Sequence, residues 1–487
     1  MPTKSHTAIM KPPKTGVRVR MYRPSGLGDC FLLAFRADGG ARYMLIDCGV
    51  FLGTPGGATR LRGIASDIGA ATGGRIDVLV GTHEHWDHLA GFQYAKPAFE
   101  DLEIEEVWVA WTEDPNDRLA RRLRRGRSDA LQALTAATEK LKAFDEAQAA
   151  LIAEVLSFFG PIGVTGKSDV QAAMRYVCQR AETRYKRPGD PPVVWEDSGV
   201  RIYVLGPPVD EKLLSRSNPS VRHSEVYELD LRLDEATAFY AAVLSATAAE
   251  EKNKESDELF ALSRPFDRKH RIECDFQMAP DTFRDFFENH YGFGKDRKSQ
   301  GPTWRRIGSD WLAAASNLAL QLDGDTNNTS LVLAIELVES GKVLLFTADA
   351  QVGNWLSWER VAWASEGIPP VRGTDLLRRT VLYKVGHHGS HNATLREKGL
   401  ELMERRDLVA MIPVDHEQAK RKKWAMPFDP LYARLIEKTQ GRVIRADTGI
   451  PRRKPAGIAR SDWKAFLKHT AADETGEDLW VEITVPE

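Results

Sequence analysis

The chain has 487 residues, 42% of them hydrophobic and 28% charged, with a formal net charge of −2. That composition is globular and long enough for a large core, and it provides no global field to gather nucleic acid or a membrane surface. No run reaches the ~18 apolar residues of a membrane-spanning helix.

The four cysteines, Cys30, Cys48, Cys178 and Cys274, are widely spaced and form no Cys-x-x-Cys pair. Free buried thiols in a reducing compartment are therefore expected over disulfides. Residues 1–16 read as a flexible tail. Met1 to Thr15 is polar and basic and lacks the apolar stretch of a secretory signal, so a cytoplasmic location is expected.

Val17 to Arg23 alternates apolar and basic residues and predicts a strand. Cys30 to Phe35 and Tyr43 to Ile46 are apolar strand runs joined at Gly39-Gly40. Gly26-Leu27-Gly28 lies between strands rather than before a helix, which excludes a phosphate loop. Ile76 to Gly81 predicts a buried strand, and Thr82-His83-Glu84-His85-Trp86-Asp87-His88 follows it directly. The chain has only 12 histidines, yet three of them and an aspartate fall within 83–88. Such His/Asp sets suit zinc, manganese or iron. His83 and His85 share a face in extended backbone, while Asp87 and His88 need a turned one. One loop of this kind can serve two ions about 3.5–4 Å apart.

Val107 to Trp111 predicts a strand. Arg118, Arg121, Arg122, Arg124, Arg125 and Arg127 then form a basic cluster. It reads either as a phosphate contact or as a solvated helix face, and the second reading is the simpler. A helix is expected from an N-cap at Ser128 to a stop at Gly160. A second amphipathic segment carries Val170, Met174, Val177 and Ala181. Val200 to Leu205 predicts a strand ending in Gly206-Pro207-Pro208. The charged stretch 209–308 reads as an insertion with a helix around Ala236 to Ala249; His270 and His290 within it lack ligand spacing.

A short helix from Trp311 to Leu322 leads to Asn327-Asn328-Thr329-Ser330 and the strand Leu331 to Leu337. Val343 to Asp349 follows a turn at Gly341. Asp349 at its end is placed either to bridge two metals or to cap the next helix. Val381 to Val385 predicts a strand delivering His387 and His388, with Lys384 near them and His391 in the loop beyond. Lys384 reads as a charge that offsets phosphate or as a lysine snorkelling from the core edge. Leu408 to Val414, the basic run Lys420-Arg421-Lys422-Lys423, a helix at Leu431 to Lys438 and a strand at Gly441 to Asp447 close the pattern. Residues 451–487 read as a C-terminal extension.

The His-x-His-x-Asp-His pattern after an apolar strand resembles the metallo-β-lactamase superfamily. Within it, Gly28-Asp29-Cys30-Phe31-Leu32-Leu33, Leu45-Ile46-Asp47-Cys48-Gly49, the Asn/Ser opening of the 331–337 strand, Asp349 and Lys384-x-x-His387-His388-Gly389-Ser390 resemble the ComEC competence-channel type. The likeness covers roughly 17–115, 195–208 and 310–450. It implies an α/β, four-layer αββα sandwich over 17–450 with metals at the sheet edge, interrupted by two mainly helical insertions at about 116–194 and 209–308. It also implies that Asp47 supports the metal loop by hydrogen bonding and that Asp349 bridges two ions. In many relatives a histidine near Leu-x-Pro completes the first site. Here that position is Gly206, which leaves His83 and His85 without their usual companion and makes His416 and Asn328 reserve candidates.

The expected function is metal-dependent hydrolysis, first of a phosphodiester, by a metal-bound hydroxide. One or two divalent ions, Zn or Mn, would be held by His83, His85, Asp87, His88, Asp349 and His387, with His388 an alternative to its neighbour. Asp87, Asp349 and Lys384 are the expected catalytic positions. The alternatives are a hydrolase of a small-molecule ester, thioester or lactam, and a non-catalytic metal-binding protein that engages a partner. Nucleic acid would bind through the basic clusters and a protein partner through the insertions; no membrane partner is expected.

Overall fold

Strands with apolar side chains on both faces build two large sheets. The structure is a computed structural model and describes residues 9–142, 145–163, 168–217, 280–291, 310–365 and 368–487. The strands run β1 (Val17–Tyr22), β2 (Phe31–Ala37), β3 (Gly40–Ile46), β4 (Arg75–Gly81), β5 (Glu103–Ala110), β6 (Glu182–Lys186), β7 (Val193–Trp195) and β8 (Val200–Gly206). They continue as β9 (Val332–Leu337), β10 (Val343–Phe346), β11 (Ala362–Ser365), β12 (Ile368–Arg372), β13 (Thr380–Lys384), β14 (Val409–Ile412), β15 (Val443–Arg445), β16 (Thr470–Ala472) and β17 (Trp480–Val485). The eight-stranded sheet has the order β16-β17-β1-β2-β3-β4-β5-β6; the seven-stranded one has β15-β14-β13-β10-β9-β8-β7. β11 and β12 form a separate hairpin.

The helices used below are α1 (Gly57–Thr72), α2 (Trp86–Leu89), α3 (Arg118–Leu141), α4 (Glu146–Leu156), α5 (Asp169–Cys178), α6 (Asp310–Asn328), α7 (Val352–Ser357), α8 (Asp429–Lys438) and α9 (Arg460–Lys468). Phe31, Leu33 and Phe35 of β2 join Ile202, Leu333 and Leu344 of the other sheet in one apolar layer. Phe31 and Phe346 meet edge to face there, with centroids 5.7 Å apart. Such a pair contributes about 0.5–1.5 kcal/mol beyond its buried area. The opposite strand faces, carrying Leu32, Leu79, Ala334 and Leu345, pack with helical residues such as Leu61, Ile68, Trp355 and Leu435.

β3, β4 and β5 run parallel, as do β10, β13, β14 and β15. Their carboxyl ends reach one edge, the usual place for ligands in sheets of this kind. The starts of β2 and β9 arrive at the same edge, because Phe31 pairs with Ile46 and Leu333 with Phe346. There the sheets are stitched together by Leu331 N–H, which donates to Thr82 O at 3.0 Å.

Several boundaries differ from expectation. The single helix of 128–160 is two, α3 and α4, and α3 starts at Arg118 with Asp117 as its N-cap, accepting from Ala120 N–H. The arginine run is thus the first turns of a helix, and Ser128 lies inside it. The stretch 116–194 is not wholly helical: β6 extends the first sheet and β7 the second. Residues 451–487 are integral, since β17 pairs with β1 along six positions and fills an edge that would otherwise expose unpaired backbone. Part of the N-terminal tail is docked: Met10 is buried, its N–H donates to Ala71 O, and its carbonyl accepts from Tyr43. α6 runs past Leu322 to Asn328. The helix expected at 236–249, His270 and Cys274 lie outside the described residues; His290 lies on the helix Asp281–Tyr291. No helix among the described residues is long and apolar enough to cross a membrane.

Candidate metal centre

β4 ends at Gly81 and releases the His83–His88 loop at the shared edge. His85 is still extended, at φ −117° and ψ 151°, and α2 then turns the chain through Asp87 and His88. The loop is held from behind by Asp47-Cys48-Gly49. Cys48 N–H donates to His88 O and Asp29 N–H to Asp87 O. Gly49 permits this approach: a Cβ there would stand 2.1 Å from the carbonyl carbon of Asp87.

Asp47 is hydrogen-bonded to the loop. Its carboxylate accepts from Thr82 N–H at 2.9 Å and Thr82 Oγ1 at 2.7 Å, and it lies 2.7 Å from His88 Nδ1. A proton on His88 Nδ1 shared with Asp47 fixes the ring and leaves Nε2 with a lone pair available to a cation. His388 is arranged in the same way, with Nδ1 2.6 Å from Pro413 O and Nε2 2.9 Å from Asp87 Oδ2. His83 Nε2 lies 3.1 Å from His85 Nδ1, as two residues on one extended face should.

The second sheet supplies Asp349, which does not cap α7. Its N–H donates to Ser330 Oγ, and its Oδ1 accepts from His387 N–H at 2.9 Å and from Lys384 Nζ at 3.3 Å. Its Oδ2 stands 3.1 Å from His88 Nε2. Lys384 is buried; it also pairs with Asp29 and donates to Ala348 O at 2.7 Å. All three of its protons are thereby directed at protein oxygens, so it neither snorkels nor faces open solvent. Its charge positions Asp349 and Asp29.

The adjacent histidines part ways. Both His387 and His388 have positive φ, at 42° and 53°, as do Asp47 and Ala348 at the same edge, at 56° and 45°. Left-handed backbone at ordinary residues costs roughly 1–3 kcal/mol each and clusters at functional sites. His388 meets Asp87 and Asp349, whereas the His387 ring lies 3.0 Å from Ser390 Oγ and 3.5 Å from Gln351 Nε2. His391 and His416 are exposed; His416 turns to Met426 O and Asp447. Asn328 is committed to structure, accepting from the N–H groups of Gln351 and Asn354.

Three buried groups have ligand atoms close enough to share an ion: His83–His88–Asp349, Asp87–Asp349–His388 and Asp29–Asp47–His88. His85 Nε2, His88 Nε2, Asp87 Oδ1, Asp349 Oδ2 and Asp29 Oδ1 are buried with no hydrogen-bond partner among the described residues. The His88–Asp349 approach is thus a charge contact without hydrogen-bond alignment. An unmet buried polar atom costs about 1–3 kcal/mol, and several together in one place fit a bound cation.

The electrostatics agree. Burial drives the His83 and His85 imidazoles towards the neutral form: His85 is lowered to about 3, and His83 is held well below the usual value by burial, with His88 and His85 adding to it. Burial likewise lowers His387 to about 4. Burial also opposes charge on His88, but Asp349, Asp29, Asp47 and Asp87 outweigh it and raise its pKa well above the usual value. Burial would raise Asp349, yet His88 and Lys384 hold it well below the carboxylate range. The carboxylates around His88 thus favour positive charge at this point of the edge.

Two contributors were not read from the sequence. Asp29, just before β2, pairs with Lys384 and shares a buried group with Asp47 and His88. Asp323 of α6 places Oδ1 3.7 Å from His85 Nε2. The run Asp323-Gly324-Asp325-Thr326-Asn327-Asn328, polar and set just before a buried strand, was its available signal.

Compared with known proteins, the chain matches no family model, and no curated protein matches it.

Proposed function

We propose that this chain is a metal-dependent phosphodiester hydrolase with the four-layer αββα sandwich of the metallo-β-lactamase superfamily, close to the ComEC type. Two facing sheets with helices outside, and a His/Asp cluster at their shared edge, support the fold assignment. The observation that carries the chemistry is the convergence from both sheets of buried atoms without a hydrogen-bond partner among the described residues, His85 Nε2, His88 Nε2 and Asp87 Oδ1 from one and Asp349 Oδ2 from the other. His83, His85, His88, Asp87, Asp349 and His388 would hold one or two Zn or Mn ions, with His387 beside them. A bound divalent cation supplies Lewis acidity and a nucleophilic water near neutral pH. The chain's own part is to orient His88 through Asp47, to fix Asp349 between Lys384, Ser330 and the His387 N–H, and to keep His83 and His85 unprotonated.

The phosphodiester preference rests on charge beside the site. The arginine cluster of α3 is largely committed to the protein: Arg122 pairs with Glu211, Arg124 donates to the Glu113 and Asp114 carbonyls, and Arg127 is buried. The run after β14 is less committed: Lys422 lies 4.0 Å from Glu154, which lines the same groove, and over the Phe51 ring. Arg421, Lys422 and Lys423 line a groove of about 930 Å³ together with Trp424, Leu151 and Leu320. Trp424 stacks on Phe158, whose ring lies 5.6 Å from His85 and 6.4 Å from His387. Cations and an aromatic leading to a metal edge suit a polyanion whose bases or rings stack.

The test is hydrolysis of bis(p-nitrophenyl) phosphate, single-stranded DNA, duplex DNA and RNA, beside an ester, a thioester and a lactam, with Mn²⁺ and Zn²⁺ added separately. Metal-dependent turnover of phosphodiesters is expected. Turnover confined to the ester, thioester or lactam would replace this reading with a small-molecule one.

A further inference from the structure

The proton positions in the histidine loop follow from its hydrogen bonds, beginning at Thr82. A hydroxyl has one proton to donate, and a carboxylate only accepts. Thr82 Oγ1 gives its proton to Asp47 at 2.7 Å, so its 3.1 Å contact with His83 Nδ1 is one in which the imidazole donates. His83 Nε2 is thereby left with a lone pair, and it faces His85 Nδ1 at 3.1 Å. Two bare nitrogens this close repel each other. The same spacing is near the ~3.4 Å between two ligand atoms each ~2.1 Å from one tetrahedral ion. What happens between these rings therefore depends on which nitrogen of His85 carries its proton.

α6 stands against the other nitrogen of that ring. His85 Nε2 and Asp323 Oδ1 are both buried, lie 3.7 Å apart and have no hydrogen-bond partner among the described residues. That distance is a charge contact rather than a hydrogen bond. A bare Nε2 would set a lone pair against the carboxylate oxygen, whereas an Nε2–H sets a positive hydrogen against it. Asp323 is held in this place from its own helix: Oδ2 accepts from Asn327 Nδ2 at 3.2 Å, one turn along α6. A carboxylate facing the second nitrogen of an imidazole fixes the tautomer and frees the first nitrogen for a metal.

We propose that Asp323 is a positioning residue for His85: its charge keeps the ring proton on Nε2 and leaves Nδ1 free to meet a cation together with His83 Nε2. The proposal rests on the metal-hydrolase reading and deepens it. It gives α6, the helix that follows the 209–308 stretch, a part in the centre without touching the ion.

The test is a double-mutant cycle on metal affinity, not on turnover. Wild type, Asp323→Ala, His85→Ala and the double variant are stripped with chelator. Zn²⁺ affinity is then read by chelator competition, coordination by the absorption bands of added Co²⁺, and folding by far-ultraviolet circular dichroism. Asp323→Ala is expected to weaken one ion by about tenfold or more and to shift the Co²⁺ bands. In the His85→Ala background the same substitution is expected to change affinity by less than about twofold, because the residue it acts through is gone. Asp323→Asn, which keeps the size and loses the charge, takes the place of alanine in the cycle if Asp323→Ala does not fold. Equal losses in both backgrounds, or no loss in either, would overturn the role of Asp323 while leaving the metal centre standing. A wild type that binds no ion would overturn the metal reading itself.

Discussion

Arg127 donates to Glu84 at 2.7 Å, and Glu84 is the residue between His83 and His85. In the extended start of the metal loop the two histidines face the site, so Glu84 faces away from it. There α3 meets it: both side chains are nearly inaccessible, and Arg127 also lies 3.6 Å from Glu113. The helix that opens with the arginine cluster therefore clamps the back of the histidine loop. Removing one member of a buried ion pair typically costs 3–5 kcal/mol, because the other charge is left unmatched. Arg127→Leu is expected to lower unfolding stability by about that amount. Adding Glu84→Gln should recover part of it. Equal stability of Arg127→Leu and wild type in urea would remove the clamp.

The same trio gives a pH dependence. Burial, reinforced by the neighbouring Glu84 charge, raises Glu113 from 4.5 to about 7 in the folded protein. A carboxyl that binds its proton more tightly when folded adds stability that is complete below pH 4.5 and is lost as pH rises through 7. At about 1.4 kcal/mol per pKa unit the full effect is on the order of 3 kcal/mol. Glu113→Gln keeps the shape and cannot ionise. Relative to wild type it should gain stability between pH 5 and pH 8. Parallel stability–pH curves for the two proteins would show that Glu113 does not titrate in this window.

The groove gives a binding prediction. Replacing Arg421, Lys422 and Lys423 with glutamine should weaken binding to single-stranded nucleic acid. The slope of log affinity against log salt should flatten by roughly 2, at about 0.7 per phosphate contact. Turnover of bis(p-nitrophenyl) phosphate should hold, since that substrate is too small to span the groove. The matching change at Arg121, Arg122, Arg124 and Arg125 should instead lower stability, because Arg121 and Arg124 are bonded to carbonyls of 113–116. An unchanged salt slope after the first set of substitutions would show that the groove does not carry the substrate.

The centre of this molecule was legible where ligands follow an apolar strand. Ile76 to Gly81 and Val343 to Phe346 announce buried strands by composition, and polar residues at their ends stand out. Asp47 was legible only through a resemblance. His387 and His388 were not separable, because two successive left-handed residues set their directions and no local pattern encodes that. β6 was missed because Glu182–Lys186 is an edge strand, half-exposed throughout, without apolar alternation. β17 does alternate, but its partner β1 lies at the other end of the chain. Asp323 was hidden for a related reason. A helix read as stopping at Leu322 places its next residue in a loop, and nothing local says that His85 lies opposite.

Asp349 carries the central claim, since its buried Oδ2, 3.1 Å from His88 Nε2, brings the second sheet's carboxylate onto the first sheet's histidine, and it belongs to two of the three groups that could share an ion. Asp349→Asn keeps the shape and loses the charge. The most direct measurement is metal content per chain after dialysis against Zn²⁺ or Mn²⁺ buffer, for wild type and Asp349→Asn, with phosphodiester hydrolysis read on the same samples. Wild type should retain at least one ion and turn over substrate. Asp349→Asn should remain folded, lose hydrolysis and hold fewer ions. A wild type that retains no ion at any supplied concentration, or an Asp349→Asn protein with full metal content and full turnover, would contradict the account.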